Sequence, residues 1–385
     1  MAYEEKLRTL IEKIAKERSY DNCTILTQPI SSGGANYSSY LFLATVSAPG
    51  KDALHMFAKI AAIGEELRAS VPTEAFTIEH RFYMDLVKKF RQIEDKYNIK
   101  DEDKLVTAKF YGASGEYLYE TLVLENLKMR GFQSFDRFQA IDWPYARYSI
   151  KQLALFHALS VALAKDDLEG YRNFMTKLMP VSKEVMSEFI KIDVDKTLRI
   201  IKEENRERVA KFLAKPEMRE PMFHLLSAEG PVLVHGDYRP SNMMHKELSD
   251  GTTQVIVLDY QTLHEGSPVI DLLYFLFLSL DKKFRDQHLR QSFDYYYEEL
   301  SSALKRFNLD PEEVYSKETY EADLKKNIPY MLSCTFCLLL VITIDEADGQ
   351  ITDNLDVLKK DIIPNDLYVE RINDWVDDCI AMGVL

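Results

Sequence analysis

The residues best suited to chemistry lie between Val232 and Tyr260, in the stretch VLVHGDYRPSNMMHKELSDGTTQVIVLDY. A short apolar run, Val232 to Val234, ends in His235-Gly236-Asp237, and Asn242 follows five residues after that aspartate. A second apolar run, Val255 to Leu258, delivers Asp259, and Asp250-Gly251 between the two runs is a hairpin-turn signal. Asp237, Asn242 and Asp259 are therefore expected to leave a small β-framework close together. Two carboxylates and an amide, all oxygen ligands, suit a hard cation such as Mg2+ rather than zinc. They are also the parts that phosphoryl transfer requires: an aspartate to accept a hydroxyl proton, and an Asn and Asp to hold the metal on a triphosphate.

The elements that would position a nucleotide against this set lie upstream. Leu7, Leu10, Ile11 and Ile14 recur at helical spacing and predict an amphipathic first helix packed on the body. Strands are predicted at Thr24 to Ile30, Tyr40 to Val46 and Leu54 to Ile60, the third carrying Lys59. Between the first two, Ser31-Ser32-Gly33-Gly34-Ala35-Asn36 is a small-residue turn whose backbone N–H groups could cover phosphates. It lacks the G-x-G-x-x-G spacing, and alone it reads as an ordinary hairpin turn. A helix follows from about Thr73 to Tyr97. Glu79 shares its inward face with Phe76 and Tyr83, and a buried carboxylate there needs a partner, for which Lys59 is the candidate; without the downstream motif the two read as a glutamate snorkelling to the helix edge and an exposed lysine. Two more strands, Leu105 to Tyr111 and Tyr117 to Leu124, complete a five-stranded antiparallel sheet. After Leu127 the chain becomes helical, so the fold class is α+β.

Within the helical part, Tyr148 to Ala164 is an apolar-faced helix in which His157 reads as a core or supporting histidine. Asp271 opens a buried run ending at Leu280. It is either a helix-terminal carboxylate or a brace for the His235-Gly236-Asp237 loop. Tyr295-Tyr296-Tyr297 is expected to sit between helices. Cys334-x-x-Cys337 has no second pair and no nearby histidine, which argues against zinc or redox chemistry. The uncharged stretch Asn327 to Ile344 borders on a membrane span in length. With Pro329 near its start and Ser333, Thr335 and Thr343 within it, it reads as a buried helix.

The composition agrees with a globular protein. The 385 residues are 46% hydrophobic and 29% charged, enough for two lobes with a sizeable core. Lys and Arg number 48 against 62 Asp and Glu, a net charge of −14, which argues against nucleic acid or an anionic membrane as partner. Four cysteines without a framework and a charged N-terminus without a signal sequence point to the cytoplasm. No internal repeat or low-complexity segment is present.

His-Gly-Asp-x4-Asn followed by an apolar strand ending in Asp resembles the Brenner motif of aminoglycoside and choline kinase-type phosphotransferases. Val123-Leu124-Glu125-Asn126-Leu127 with Gly131-Phe132, and Glu79-His80-Arg81-Phe82-Tyr83, are similar more narrowly to the ecdysteroid kinase-like (choline kinase-like) family within that superfamily. The resemblance implies a two-lobed, protein-kinase-like (aminoglycoside phosphotransferase-like) fold. Residues 1–124 would form a small antiparallel β-sheet lobe for the nucleotide, and residues 125–385 a large helical lobe with the catalytic loop and substrate pocket. It further implies ATP and Mg2+, with Asp237 as the base and Asn242 and Asp259 on the metal. Lys59, fixed by Glu79, would reach the α- and β-phosphates. Backbone groups of Glu125 and Leu127 would meet the adenine, Ser31 to Asn36 would lie over the phosphates, and His235 would shape the loop. The substrate implied is a small steroid-like alcohol, most concretely the 22-hydroxyl of an ecdysteroid converted to its inactive phosphate conjugate. The alternatives are a choline-, aminoglycoside- or xenobiotic-type small-molecule kinase, and a non-catalytic binding protein. One departure stands out: Arg239 occupies a position where the family often carries an apolar or aromatic residue. After Asp259 the chain reads Tyr-Gln with no glycine, so a protein-kinase-style flip of that segment is not expected.

Overall fold

The computed structural model describes residues 2–31, 39–65, 68, 74–135, 139–178, 192–343 and 364–385. Helix α1 (Ala2–Glu17) leads into strands β1 (Thr24–Ile30), β2 (Ser39–Ser47) and β3 (Leu54–Ala61). With β4 (Phe110–Ser114) and β5 (Thr121–Glu125) they make a five-stranded antiparallel sheet in the order β1-β2-β3-β5-β4. The alternation of strand side chains divides its residues cleanly. Phe42, Ala44, Val46, Met56, Ala58, Ile60 and Val123 bury against Leu7, Leu10, Ile11 and Ile14 of α1. The residues between them, including Leu41, Leu43, Phe57 and Lys59, face the opposite way and line a cleft. The expected first helix and sheet are therefore present, and a one-residue slip of β3 would have buried Lys59 under α1.

The helix predicted from Thr73 to Tyr97 is interrupted. Helix α2 (Ala75–Arg81) passes through a π-helical turn, Phe82–Leu86, into α3 (Val87–Lys96). In that turn Phe82 stacks on the ring of Tyr260, with centroids 3.4 Å apart, and Tyr83 meets the same ring edge-on. The strand expected at Leu105 to Tyr111 begins only at Phe110. Side chains take the backbone of residues 105 and 106 instead: Leu105 N–H donates to Glu94, its carbonyl accepts from Arg91, and Val106 N–H donates to Gln152. The next strand, expected from Tyr117, begins at Thr121, because Tyr119 N–H closes a turn on Glu116 and Leu118 holds a left-handed φ of 67°.

The remainder is mainly helical. Helix α4 (Trp143–Asp166) starts five residues before the expected Tyr148, capped by Asp142 and opened by Pro144 in its first turn. Strand β6 (Gln133–Ser134) pairs with the hairpin β8 (Met243–Glu247) and β9 (Thr253–Val257), whose turn carries Gly251 at φ +79°. Strand β7 (Val232–Val234) pairs with β10 (His264–Gly266). Helices α5 (Val269–Leu278), α6 (Lys282–Arg306), α7 (Lys317–Ile342) and α8 (Asp366–Ala381) complete the core. Helix α7 begins twelve residues before Pro329, which lies inside the helix; the Ser316 cap decides the start. The hydroxyls of Thr335 and Thr343 return to carbonyls one turn earlier, so the uncharged run buries no unpaired threonine. No helix among the described residues is long and apolar enough to cross a membrane. Cys334 and Cys337 are free thiols pushed up by burial, Cys337 to about 12, and both are inert thiols at neutral pH. Tyr296 and Tyr297 are buried between helices as expected.

Candidate active site

Lys59 is the centre of the site. Its Nζ lies 3.0 Å from Glu79 Oε2 and 2.6 Å from Asp259 Oδ1, so a strand, a helix and the end of the hairpin converge on one ammonium. Lys59 and Glu79 are both buried, at 6% and 3% exposure. Burial alone would lower the lysine, but Asp259 and Glu79 outweigh it, and Lys59 titrates above its ordinary value. Burial acts the other way on the Glu79 carboxyl and leaves it raised, although Lys59 opposes that shift. Asp259 holds a left-handed φ of 65°, a conformation that costs an ordinary residue about 1–2 kcal/mol and that Asp tolerates best. The contact with Lys59 helps hold it there.

Asp237 is linked to this arrangement through Asn242. Tyr274 O–H donates to Oδ1 at 2.7 Å, Arg239 Nε lies 2.8 Å from that oxygen, and Asn242 Nδ2 donates to Oδ2 at 2.8 Å and to the backbone carbonyl at 2.9 Å. Burial pushes Asp237 up. Arg239, Tyr274, His235 and Asn242 together push it further down, and the carboxyl ends below its ordinary value. It is an oriented, ionised carboxylate. The 3-10 turn Pro240–Asn242 is tied to the hairpin by Leu258 N–H donating to the Asn242 carbonyl at 2.8 Å, which places Asn242 beside the entry to Asp259.

The loop before Asp237 is braced from below. Asp271, fully buried in the first turn of α5, accepts His235 N–H at 2.6 Å on Oδ2 and Gly236 N–H at 2.9 Å on Oδ1. His157 Nε2 meets Oδ2 at 3.1 Å, and its Nδ1 meets Tyr296 O–H at 2.7 Å. Burial pushes Asp271 up, His157, His235 and Gly236 pull it down, and the net direction is down. The two readings left open for Asp271 are thus one: a helix-terminal carboxylate that braces the loop. His157 supports that brace. His235 uses both ring nitrogens, Nε2 toward the Leu258 carbonyl at 3.0 Å and Nδ1 from Asp237 N–H at 3.3 Å, so it shapes the loop. Gly236 needs its identity: at φ +83° an added Cβ would lie 2.8 Å from the Thr262 carbonyl.

A cleft of about 390 Å³ runs past Lys59, Glu79, Asn242 and Asp259; Asp237 is held by Asn242 but is not part of its lining. The sheet supplies Leu41, Leu43, Phe57, Leu122 and Leu124, and the hairpin side supplies Met243, Met244 and Leu258; Lys59, Glu79, Asn242 and Asp259 lie in its lining. An apolar slot of that size with charge at one end suits a purine with its phosphates at the polar end. Ser31, Glu125 and Leu127 also line it, while Ser32, Gly33, Gly34, Ala35 and Asn36 lie outside the described residues. Leu127's carbonyl already accepts Phe132 N–H, and Glu125's side chain binds Lys109 N–H and Arg130. Glu125 N–H donates to the Lys109 carbonyl at 2.9 Å.

The Mg2+ fit rests on the donor set. Asn242 commits its Nδ2 to Asp237, which orients its carbonyl oxygen away from that carboxylate. Among the described residues, Asp259 Oδ2 has one contact, Gln261 Nε2 at 3.5 Å. An amide oxygen and a carboxylate oxygen in one cleft, completed by phosphate oxygens and water, suit Mg2+. One supporting residue, Tyr274, is not marked by the sequence. Tyr274 could have been found, since it lies three residues after Asp271 and so shares its helix face. Arg239 was noticed only as a departure.

The family model described as the ecdysteroid kinase-like family matches residues 33–309, more than half of the chain. No curated protein sequence matches. Among solved structures, the GDP and kanamycin complex of APH(2″)-IIIa is similar at 12% identity and a TM-score of 0.45, over 97% of this chain and 96% of that one. A glucosamine kinase with glucosamine, ADP and inorganic phosphate is similar at 12% identity and a TM-score of 0.36, over 97% of this chain and 82% of that one. The chain belongs to the ecdysteroid kinase-like family.

Proposed function

We propose that this chain is an ATP- and Mg2+-dependent O-kinase acting on a small steroid-like alcohol, with the 22-hydroxyl of an ecdysteroid as the acceptor to test first. The observation that carries the reaction class is the single ammonium of Lys59 between Glu79 and Asp259, in the same cleft as the Asn242 that orients Asp237. The family description supports the choice of an ecdysteroid. Residues 1–124 are read as the nucleotide lobe and 125–385 as the acceptor lobe, and the four free cysteines fit a cytoplasmic protein.

Asp237 holds the acceptor hydroxyl and takes its proton as the oxygen bonds to the γ-phosphorus and the bond to the β,γ-bridging oxygen breaks. A base in this position is worth about 10²–10⁴ in rate. Its lowered pKa keeps it ionised at neutral pH, so orientation of the hydroxyl precedes proton transfer. Asn242 and Asp259 would hold Mg2+, which when bound neutralises charge on the phosphates. Lys59 turns from Asp259 toward the α- and β-phosphates while Glu79 keeps it in place. Leu127 N–H and the Glu125 backbone carbonyl meet the purine edge. Arg239 beside Asp237 speaks against a cationic acceptor of the choline or aminoglycoside kind.

The test is incubation with ATP, Mg2+ and ecdysone, choline or kanamycin, followed by mass detection of an added phosphate. Phosphorylated ecdysone is expected, with turnover abolished in Asp237→Asn and ADP binding retained. Phosphorylated choline with untouched ecdysone would sink the acceptor assignment, and full activity in Asp237→Asn would sink the assigned base.

A further inference from the structure

Arg239 is the cation of the loop that carries Asp237. Tyr238 before it is buried and donates its hydroxyl to the Ser149 carbonyl at 2.6 Å, and Pro240 after it opens the 3-10 turn that ends in Asn242. A residue before proline is restricted to extended backbone, and Arg239 has φ −140° and ψ 159°. With both neighbours anchored, its backbone is fixed. Its Nε lies 2.8 Å from Asp237 Oδ1, the oxygen that also accepts from Tyr274. The arginine side chain is 12% exposed and that of Asp237 19%, so the pair is largely out of water yet open to a ligand.

Phosphoryl transfer concentrates charge at this point. The group in flight spreads negative charge over three equatorial oxygens, and fixed positive groups aimed at them supply much of the catalysis. Among the described residues the cleft's lining holds two basic side chains, Lys59 and Lys128. Lys59 is held between Glu79 and Asp259, and Lys128 follows Leu127 on the purine side. Neither is paired with Asp237, where the acceptor oxygen must meet the γ-phosphorus. Arg239 is. An acceptor oxygen sits about 2.6–3.2 Å from its base and about 3–3.5 Å from the phosphorus it attacks. Those distances bring the equatorial oxygens within reach of a guanidinium already touching the same carboxylate. Arginine carries five N–H donors in one plane, so a contact with Asp237 does not exhaust it, and its fork matches two phosphoryl oxygens at once. We propose that Arg239 is a catalytic residue that clamps the γ-phosphoryl group in the transition state, its guanidinium bridging the Asp237 carboxylate and the equatorial oxygens. The inference rests on the kinase reading above and adds to it a charge that acts on the nucleotide, which leaves the acceptor free to be neutral. Arg239 forms no covalent bond and gives up no proton; the acceptor proton still passes to Asp237 and ADP still leaves. Orientation of Asp237 alone is the role of Tyr274, which makes Tyr274→Phe the control.

The affinity of the full chain for ADP with Mg2+ is measured calorimetrically, with and without aluminium fluoride, which mimics the phosphoryl group in transfer. No acceptor is added, so the identity of the alcohol does not enter. Wild type is expected to bind ADP at least tenfold more tightly with aluminium fluoride. Arg239→Met is expected to bind ADP alone as wild type does and to lose that gain, Arg239→Lys to keep part of it, and Tyr274→Phe to keep all of it. In turnover, loss of one such donor corresponds to a fall of about 10²–10³ in kcat. An undiminished gain in Arg239→Met would reduce Arg239 to orienting Asp237 and overturn the proposal. So would a gain lost equally in Tyr274→Phe, or a wild type that gains nothing. If Arg239→Met does not fold, Arg239→Lys carries the comparison, since it keeps a charge beside Asp237 and gives up the fork. Wild-type protein that fails to bind ADP would sink the kinase reading itself, whereas ADP binding with an aluminium fluoride gain indifferent to Arg239 sinks this inference alone.

Discussion

Asp237 is surrounded by donors: Tyr274 and Arg239 at one oxygen, Asn242 at the other. Of these Tyr274 contributes a hydrogen bond to a charged acceptor, worth about 1.5–3 kcal/mol. Tyr274→Phe is expected to lower kcat about ten- to a hundredfold, at about 1.4 kcal/mol per factor of ten, with ADP affinity unchanged. Steady-state kinetics with nucleotide titration check this, and a change confined to the nucleotide KM would refute the positioning role. At this scale the sequence was highly legible. Asp237, Asn242 and Asp259 stand out by residue type and spacing, whereas Lys59 and Glu79 gain weight only beside that motif; the structure brings Lys59, Glu79 and Asp259 together. Tyr274 was harder to see, since one tyrosine among 22 carries no chemical signature until its neighbour is known.

At the scale of elements, α5 does two tasks with one face: Asp271 braces the His235–Gly236 backbone and Tyr274 orients Asp237. Asp271→Asn replaces one of two acceptor oxygens by a donor, which orphans at least one buried N–H at a cost of about 1–3 kcal/mol. Urea unfolding at neutral pH is expected to show that loss. The pH dependence has a definite sign. The folded pKa of Asp271 is lowered, so its stabilisation is present above the unfolded value near 3.9 and is lost as pH falls through the folded one. Wild type and Asp271→Asn should therefore converge in stability toward low pH; a constant difference between pH 7 and 3 would contradict the brace. Element boundaries were less legible than element types. Residues 105 and 106 look like a strand but lose strand pairing to Glu94, Arg91 and Gln152, contacts that local pattern does not encode. Pro329 looked like a helix start and is interior, because the Ser316 cap and packing along α7 outweigh one missing hydrogen bond.

For the whole molecule, Lys59 is the bond between parts distant in sequence, 20 residues from Glu79 and 200 from Asp259. Removing it leaves two carboxylates facing each other, both largely out of water. Lys59→Met is expected to destabilise by about 3–5 kcal/mol, and Lys59→Met with Glu79→Leu to recover part of that loss. Equal unfolding midpoints for the single and double variants would show that Glu79 is not the group left stranded. Both variants should also lose stabilisation by saturating ADP, which for wild type amounts to about 2.7 kcal/mol at a hundred times Kd.

The sequence by itself determined the α+β class, the sheet with its covering helix, and the chemical parts, because periodicity and residue type are local properties. Alternation along β3 already implied that Lys59 and Ala58 face opposite ways. Only the tertiary structure decided what those parts meet. It joined Lys59 to Asp259 as well as Glu79, made Asp271 and His157 a support for the loop, and set Tyr274 and Arg239 on Asp237. These are meetings between residues far apart in the chain. Their energy comes from burial and from the partners that burial demands, and neither exists until the chain has folded.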